Sequence, residues 1–105
     1  MGFFSFHVDF DASTHLSKEE SYSRLLNYLQ KRRYTIVRNE APNSILFRTK
    51  TSLLSWPRDF NVTFIAENEN KCNLKVHVDC GQCDLGLSKL MFNDITKKIY
   101  ENKKC

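Results

Sequence analysis

Ser44-Ile45-Leu46-Phe47-Arg48-Thr49-Lys50, then Asn61-Val62-Thr63-Phe64-Ile65-Ala66, then Asn73-Leu74-Lys75-Val76-His77-Val78-Asp79-Cys80 are the segments on which the fold turns. Successive residues of a strand point to opposite faces, so period-two alternation marks a strand with one dry and one wet side. In the last segment Leu74, Val76, Val78 and Cys80 share a face, and Lys75, His77 and Asp79 share the other. The middle segment sets Val62, Phe64 and Ala66 against Thr63, Ile65 and Glu67. The first sets Ile45 and Phe47 against Leu46, Arg48 and Lys50. The polar run Glu67-Asn68-Glu69-Asn70-Lys71 between the second and third predicts a hairpin.

The pattern extends outward on both sides. Residues 3–10 alternate, with Phe4, Phe6, Val8 and Phe10 on one face and Phe3, Ser5, His7 and Asp9 on the other. Residues 11–16 are expected to be a connection. Ser17-Lys18-Glu19-Glu20 has the form of a capping box, in which Glu20 reaches back to the cap, and opens a helix expected to reach Lys31. Tyr22, Leu25, Leu26 and Leu29 form its apolar stripe. Residues 34–38 are strand-prone, and Asn39-Glu40-Ala41-Pro42-Asn43 reads as a turn. Residues 51–60 are expected to be a long link containing Leu53, Leu54, Trp56 and Pro57. After the loop at 81–86, a final helix is expected over 87–101, with Leu87, Leu90, Met91, Ile95 and Ile99 as its core stripe and Phe92 off it. Residues 102–105 should fray.

The order is β-α-β-β-β-β-α. Strands in a run closed by helices predict an α+β domain: a curved antiparallel sheet with both helices on its apolar face. With 105 residues, 41% hydrophobic and 27% charged, the chain suits one globular domain spanning residues 1–105. Eight Phe residues demand a ring-built core and argue against disorder. The longest apolar runs are too short to span a membrane, and the first ten residues lack the marks of a secretory signal, so no membrane role and a cytoplasmic location are the default expectations. The net charge of +4 comes largely from Lys31-Arg32-Arg33 and the lysines of 97–104, which fall at helix C-termini where cations meet the helix dipole.

Two short motifs carry a resemblance. Thr51-Ser52-Leu53-Leu54-Ser55-Trp56, followed by an alternating strand, and Asp84-Leu85-Gly86 before the terminal helix resemble a group of small bacterial domains of unknown function. Those have a Ser-x-x-Ser-Trp segment before one strand and Asp-Trp-Gly before the last helix. The likeness covers most of the chain from Tyr22 onward. Here Leu85 stands in place of the second Trp, and Pro57 follows Trp56 where Gly is usual. The element order also resembles half of the TATA-binding protein fold and a short helix-grip domain. The resemblance implies a fold but no catalytic residue, and topology does not carry function.

Candidate sites follow from residue chemistry. Cys80-Gly81-Gln82-Cys83 has the spacing of a redox or metal pair, yet it follows four antiparallel strands, and Cys80 falls on an apolar strand face where a thiol is ordinarily inert. A zinc site would need further ligands from Cys72, Cys105, His7, His15 or His77. His7 and His77 fall on outer strand faces, each with an Asp two residues on, Asp9 and Asp79. If the first and last strands are neighbours, the four side chains meet and can take a metal or move a proton; otherwise they are an ordinary polar surface. Trp56, with Leu53 and Leu54, is either an exposed anchor for a partner or a cover over the sheet edge.

Three functions compete. The first is a non-catalytic binding or accessory module for a protein or small apolar ligand, with no cofactor. The second is a metal or thiol-redox protein using Cys80 and Cys83. The third is nucleic-acid binding through Arg48, Lys50 and Lys75 on the outer face, against which Asp9, Glu67 and Asp79 weigh.

Overall fold

The computed structural model describes residues 6–49, 58–80 and 87–100. The elements are β1 (Phe6–Thr14), α1 (Lys18–Lys31), β2 (Thr35–Glu40), β3 (Ser44–Arg48), β4 (Arg58–Asn68), β5 (Lys71–Cys80) and α2 (Leu87–Tyr100). All neighbouring strands are antiparallel, in the order β1-β5-β4-β3-β2. This is the expected α+β arrangement, and the first and last strands are neighbours.

The inner face is the apolar phase of each strand. Val8, Phe10 and Ala12 of β1, Leu74, Val76 and Val78 of β5, Phe60, Val62 and Phe64 of β4, and Ile45 and Phe47 of β3 join Tyr22, Leu25 and Leu29 of α1 and Phe92 and Ile95 of α2 in one core. Rings run across it. Tyr34 stacks on Phe47 at 5.8 Å, Phe47 on Phe60 at 5.2 Å and Phe60 on Phe92 at 6.2 Å, and Phe92 meets Phe10 edge-on at 5.7 Å. Such pairs add to the energy of area burial.

Helix α1 begins as its sequence requires: the Ser17 hydroxyl accepts from the Glu20 N–H at 3.2 Å. Glu20 turns outward instead of back, accepting from Arg24 Nε at 2.8 Å, so only half of the capping box forms. The helix ends in a Schellman motif. The Tyr34 N–H donates to Leu29 O and the Arg33 N–H to Gln30 O. Tyr34 closes the motif by packing edge-on against Tyr28. Arg33 holds the left-handed position, φ 62°, that glycine ordinarily takes.

Four expectations are corrected. Strand β1 does not stop at residue 10; it pairs with β5 as far as Thr14 opposite Cys72. Thr14 is polar yet buried, and its hydroxyl is satisfied by the Ser21 hydroxyl at 2.6 Å. Strand β4 starts at Arg58, inside the expected link, because Arg58 is in phase with Phe60 and Val62 and is itself buried. Strand β2 does not stop at residue 38; it runs to Glu40, taking in the first two residues of the expected turn, and a bulge between Ile36 and Arg38 leaves Val37 exposed. In α2, Leu90 is 64% exposed while Phe92 is fully buried. The buried line is Ser88, Phe92 and Ile95, flanked by Met91 and Ile99, so the helix is turned to seat the larger ring.

Phe60→Ala is therefore expected to cost about 3–5 kcal/mol, as large-to-small changes in a packed core do. Leu90→Ala should stay within about 0.5 kcal/mol. Urea unfolding of both variants checks the pair, and a large loss from Leu90→Ala would refute this rotation of α2. Arg33→Gly should stabilise the domain by about 1 kcal/mol, because glycine occupies the left-handed region without a Cβ penalty.

Candidate functional site

The outer face of the sheet is the polar phase of the same strands, opposite the face on which the helices pack. Its rows follow from the register. One row runs His7, Asp79, Asp59, Arg48, Thr35, and the next Asp9, His77, Asn61, Leu46, Arg38. Arg48 donates to both carboxylate oxygens of Asp59, at 2.7 and 3.2 Å. Lys75 Nζ lies 4.0 Å from Asp11.

His-Val-Asp occurs twice, as His7-Val8-Asp9 and His77-Val78-Asp79. The register sets His7 opposite Asp79 and Asp9 opposite His77. Antiparallel pairing thus makes a checkerboard in which each imidazole faces a carboxylate and is diagonal to the other imidazole. His7 Nδ1 is 2.5 Å from Asp79 Oδ1. His77 bonds on both sides: Nδ1 to Asp9 Oδ1 at 2.6 Å and Nε2 to Asp79 Oδ1 at 3.2 Å. The two rings stack with centroids 5.4 Å apart. Asp79 Oδ1 is thus the common partner of both imidazoles.

The site is open. The side chains of His7, Asp79 and His77 are roughly half exposed, and that of Asp9 more so. Even so, the hydrogen bond to Asp9 holds the His77 pKa above its ordinary value, aided by the charges of Asp9 and Asp79 and opposed by partial desolvation.

Of the other candidate residues, Cys80 ends β5 with its backbone opposite Phe6 and Arg58. Trp56, Leu53, Leu54, Lys50, Cys83 and Cys105 lie outside the described residues, as does the Asp84-Leu85-Gly86 segment. Cys72 is buried at the far end of β5, where burial pushes its thiol pKa up. It is eight residues along the strand from Cys80 and belongs to the core, not to the cluster.

Arg58 is a residue that the sequence reading passed over. It is 1% exposed, its backbone N–H donates to Thr49 Oγ1 at 2.9 Å, and its Nη1 lies 3.6 Å from the Met91 sulfur. Its phase with Phe60, Val62 and Phe64 was the signal that it points inward.

No protein-family model, curated protein or solved structure matches this chain. The functional reading therefore rests on the geometry.

A raised pKa means that His77 stabilises the fold fully below its unfolded value of about 6.5, and that this contribution is lost as pH rises through the folded value. Asp9→Asn should bring the His77 pKa down, as followed by imidazole proton NMR across pH. An unchanged titration would show that Asp9 does not hold the ring.

Proposed function

We propose that this chain is a non-catalytic binding domain that acts through the β1–β5 half of its open sheet face, and that its ligand is cationic. The observation that carries the reading is the checkerboard of His7, Asp9, His77 and Asp79. Exposed ion pairs add little to stability, so four interacting titratable groups on a solvated surface are poorly explained as a folding device. Local charge agrees. The chain as a whole carries +4, yet this half-face presents Asp9, Asp11 and Asp79 against Lys75. Electrostatic complementarity then favours a positive ligand.

Several features favour binding over the alternatives. The groups stand on an open face rather than in a cleft that would exclude water from a reaction. A polar face suits a charged partner better than the small apolar ligand that composition also allowed. Nucleic acid is disfavoured, since Arg48 is engaged by Asp59 and acidic groups surround Lys75. No helix among the described residues is long and apolar enough to cross a membrane.

Histidine footprinting tests the reading. The full chain, in an extract of its source cells, is treated with diethyl pyrocarbonate and compared with the purified, chelator-treated protein. His7 and His77 should react several-fold more slowly in the extract, while His15, exposed but outside the cluster, reacts alike in both. Equal rates for all three histidines in the two samples would overturn the assignment of this face.

A further inference from the structure

We propose that His7, His77 and Asp79 form a site for a divalent transition-metal ion of the zinc class, with Asp9 as the outer support of His77. This names the cationic ligand of the face described above and rests on that reading.

The donor set is the first argument. Two imidazoles and a carboxylate suit zinc and its neighbours in the first transition row. Calcium and magnesium take shells of oxygen, which this cluster does not supply. The distances are the second. One donor atom from each of the three residues lies within 4.8 Å of the others. Donors at zinc-bond lengths of about 2.0–2.2 Å stand roughly 3.3 Å apart in a tetrahedral site. Asp79 Oδ1 is already 3.2 Å from His77 Nε2, and rotation of exposed side chains supplies the remaining adjustment.

Tautomer and support are the third argument. Asp9 accepts from His77 Nδ1–H at 2.6 Å. In the neutral ring with its proton there, Nε2 turns its lone pair towards the Asp79 carboxylate. Two acceptors facing each other are bridged either by a proton on Nε2 or by a metal ion, and a metal takes the place of that proton. A carboxylate behind a ligating histidine is also the usual outer shell of a zinc site, where it sets the tautomer and raises ligand basicity.

The scaffold is the fourth. All four residues stand on two strands paired without interruption from Phe6–Cys80 to Thr14–Cys72, so their backbone positions are set before any ligand arrives. Three protein donors leave at least one position open on the solvent side, available to water or to a donor group from a partner.

The test uses the untagged full chain, purified with chelator and then dialysed free of it. Zinc alone is titrated by calorimetry, and cobalt(II) alone by visible absorption. One ion per chain is expected. His7→Ala and His77→Ala should abolish binding, and Asp9→Asn should weaken it by about 10–100-fold, the usual loss on removing an outer-shell carboxylate. A Cys80→Ser, Cys83→Ser double variant should bind as the parent does. Both histidine side chains are roughly half exposed and lie outside the core, and circular dichroism should show the variants folded. Absence of binding, or binding lost in the cysteine variant and kept in the histidine variants, overturns the site. Protection of His7 and His77 in the extract without zinc binding by the pure protein would sink the metal and leave the binding face standing. Failure of both measurements would sink the two together.

Discussion

Ring stacking across the inner face of the sheet is the interaction on which the remaining structure depends. Phe47 and Phe60 lie on adjacent strands at paired positions and stack within 5° of parallel. Tyr34 extends the series towards β2, and Phe92 and Phe10 carry it over α2 to β1. One series of rings therefore joins β3, β4, α2 and β1 to the chain leaving α1. A buried aromatic ring carries a large apolar area, so the arrangement that satisfies these rings outweighs weaker local preferences. That is why α2 turns Phe92 inward and leaves Leu90 in water.

The inner face also governs the outer one. A strand that slips by one residue moves every side chain to the opposite face, so burial of Val8, Phe10, Val76 and Val78 forbids such a slip between β1 and β5. The same constraint sets His7 against Asp79 and Asp9 against His77. The candidate site is thus a consequence of core packing. Its geometry is held by apolar residues on the opposite face of the same strands. At the far end of the same strands, Thr14 and Ser21 share a hydrogen bond that ties α1 to the sheet, and the Tyr100 hydroxyl donates to Ser21 O at 2.7 Å, tying α2 to α1.

Much of the fold was legible because its signals are local. The alternation of β3, β4 and β5, the Ser17 cap and the Leu25–Leu29 stripe all announce their elements within a few residues. What was missed had contrary local signals. Ala12 and Thr14 do not look like core residues, so β1 was expected to end early. Arg58 is a charge at a buried strand position, where side-chain polarity masks the phase. Leu90 fits a helical stripe as well as Phe92 does, and no local rule chooses between them. Of the site, the pairing of His7 and His77 with Asp9 and Asp79 was legible as a conditional: it required β1 beside β5.

The amino-acid sequence by itself determined the element order, the two faces of each strand and the residues available to the outer face, because periodicity and capping act over a few residues. Only the tertiary structure decided that β1 lies against β5, that α2 is turned to Phe92, and that two His-Val-Asp segments seventy positions apart in the chain meet in opposed register. Those choices depend on how large apolar surfaces fit together across the whole core, and that sum is not contained in any local stretch of chain.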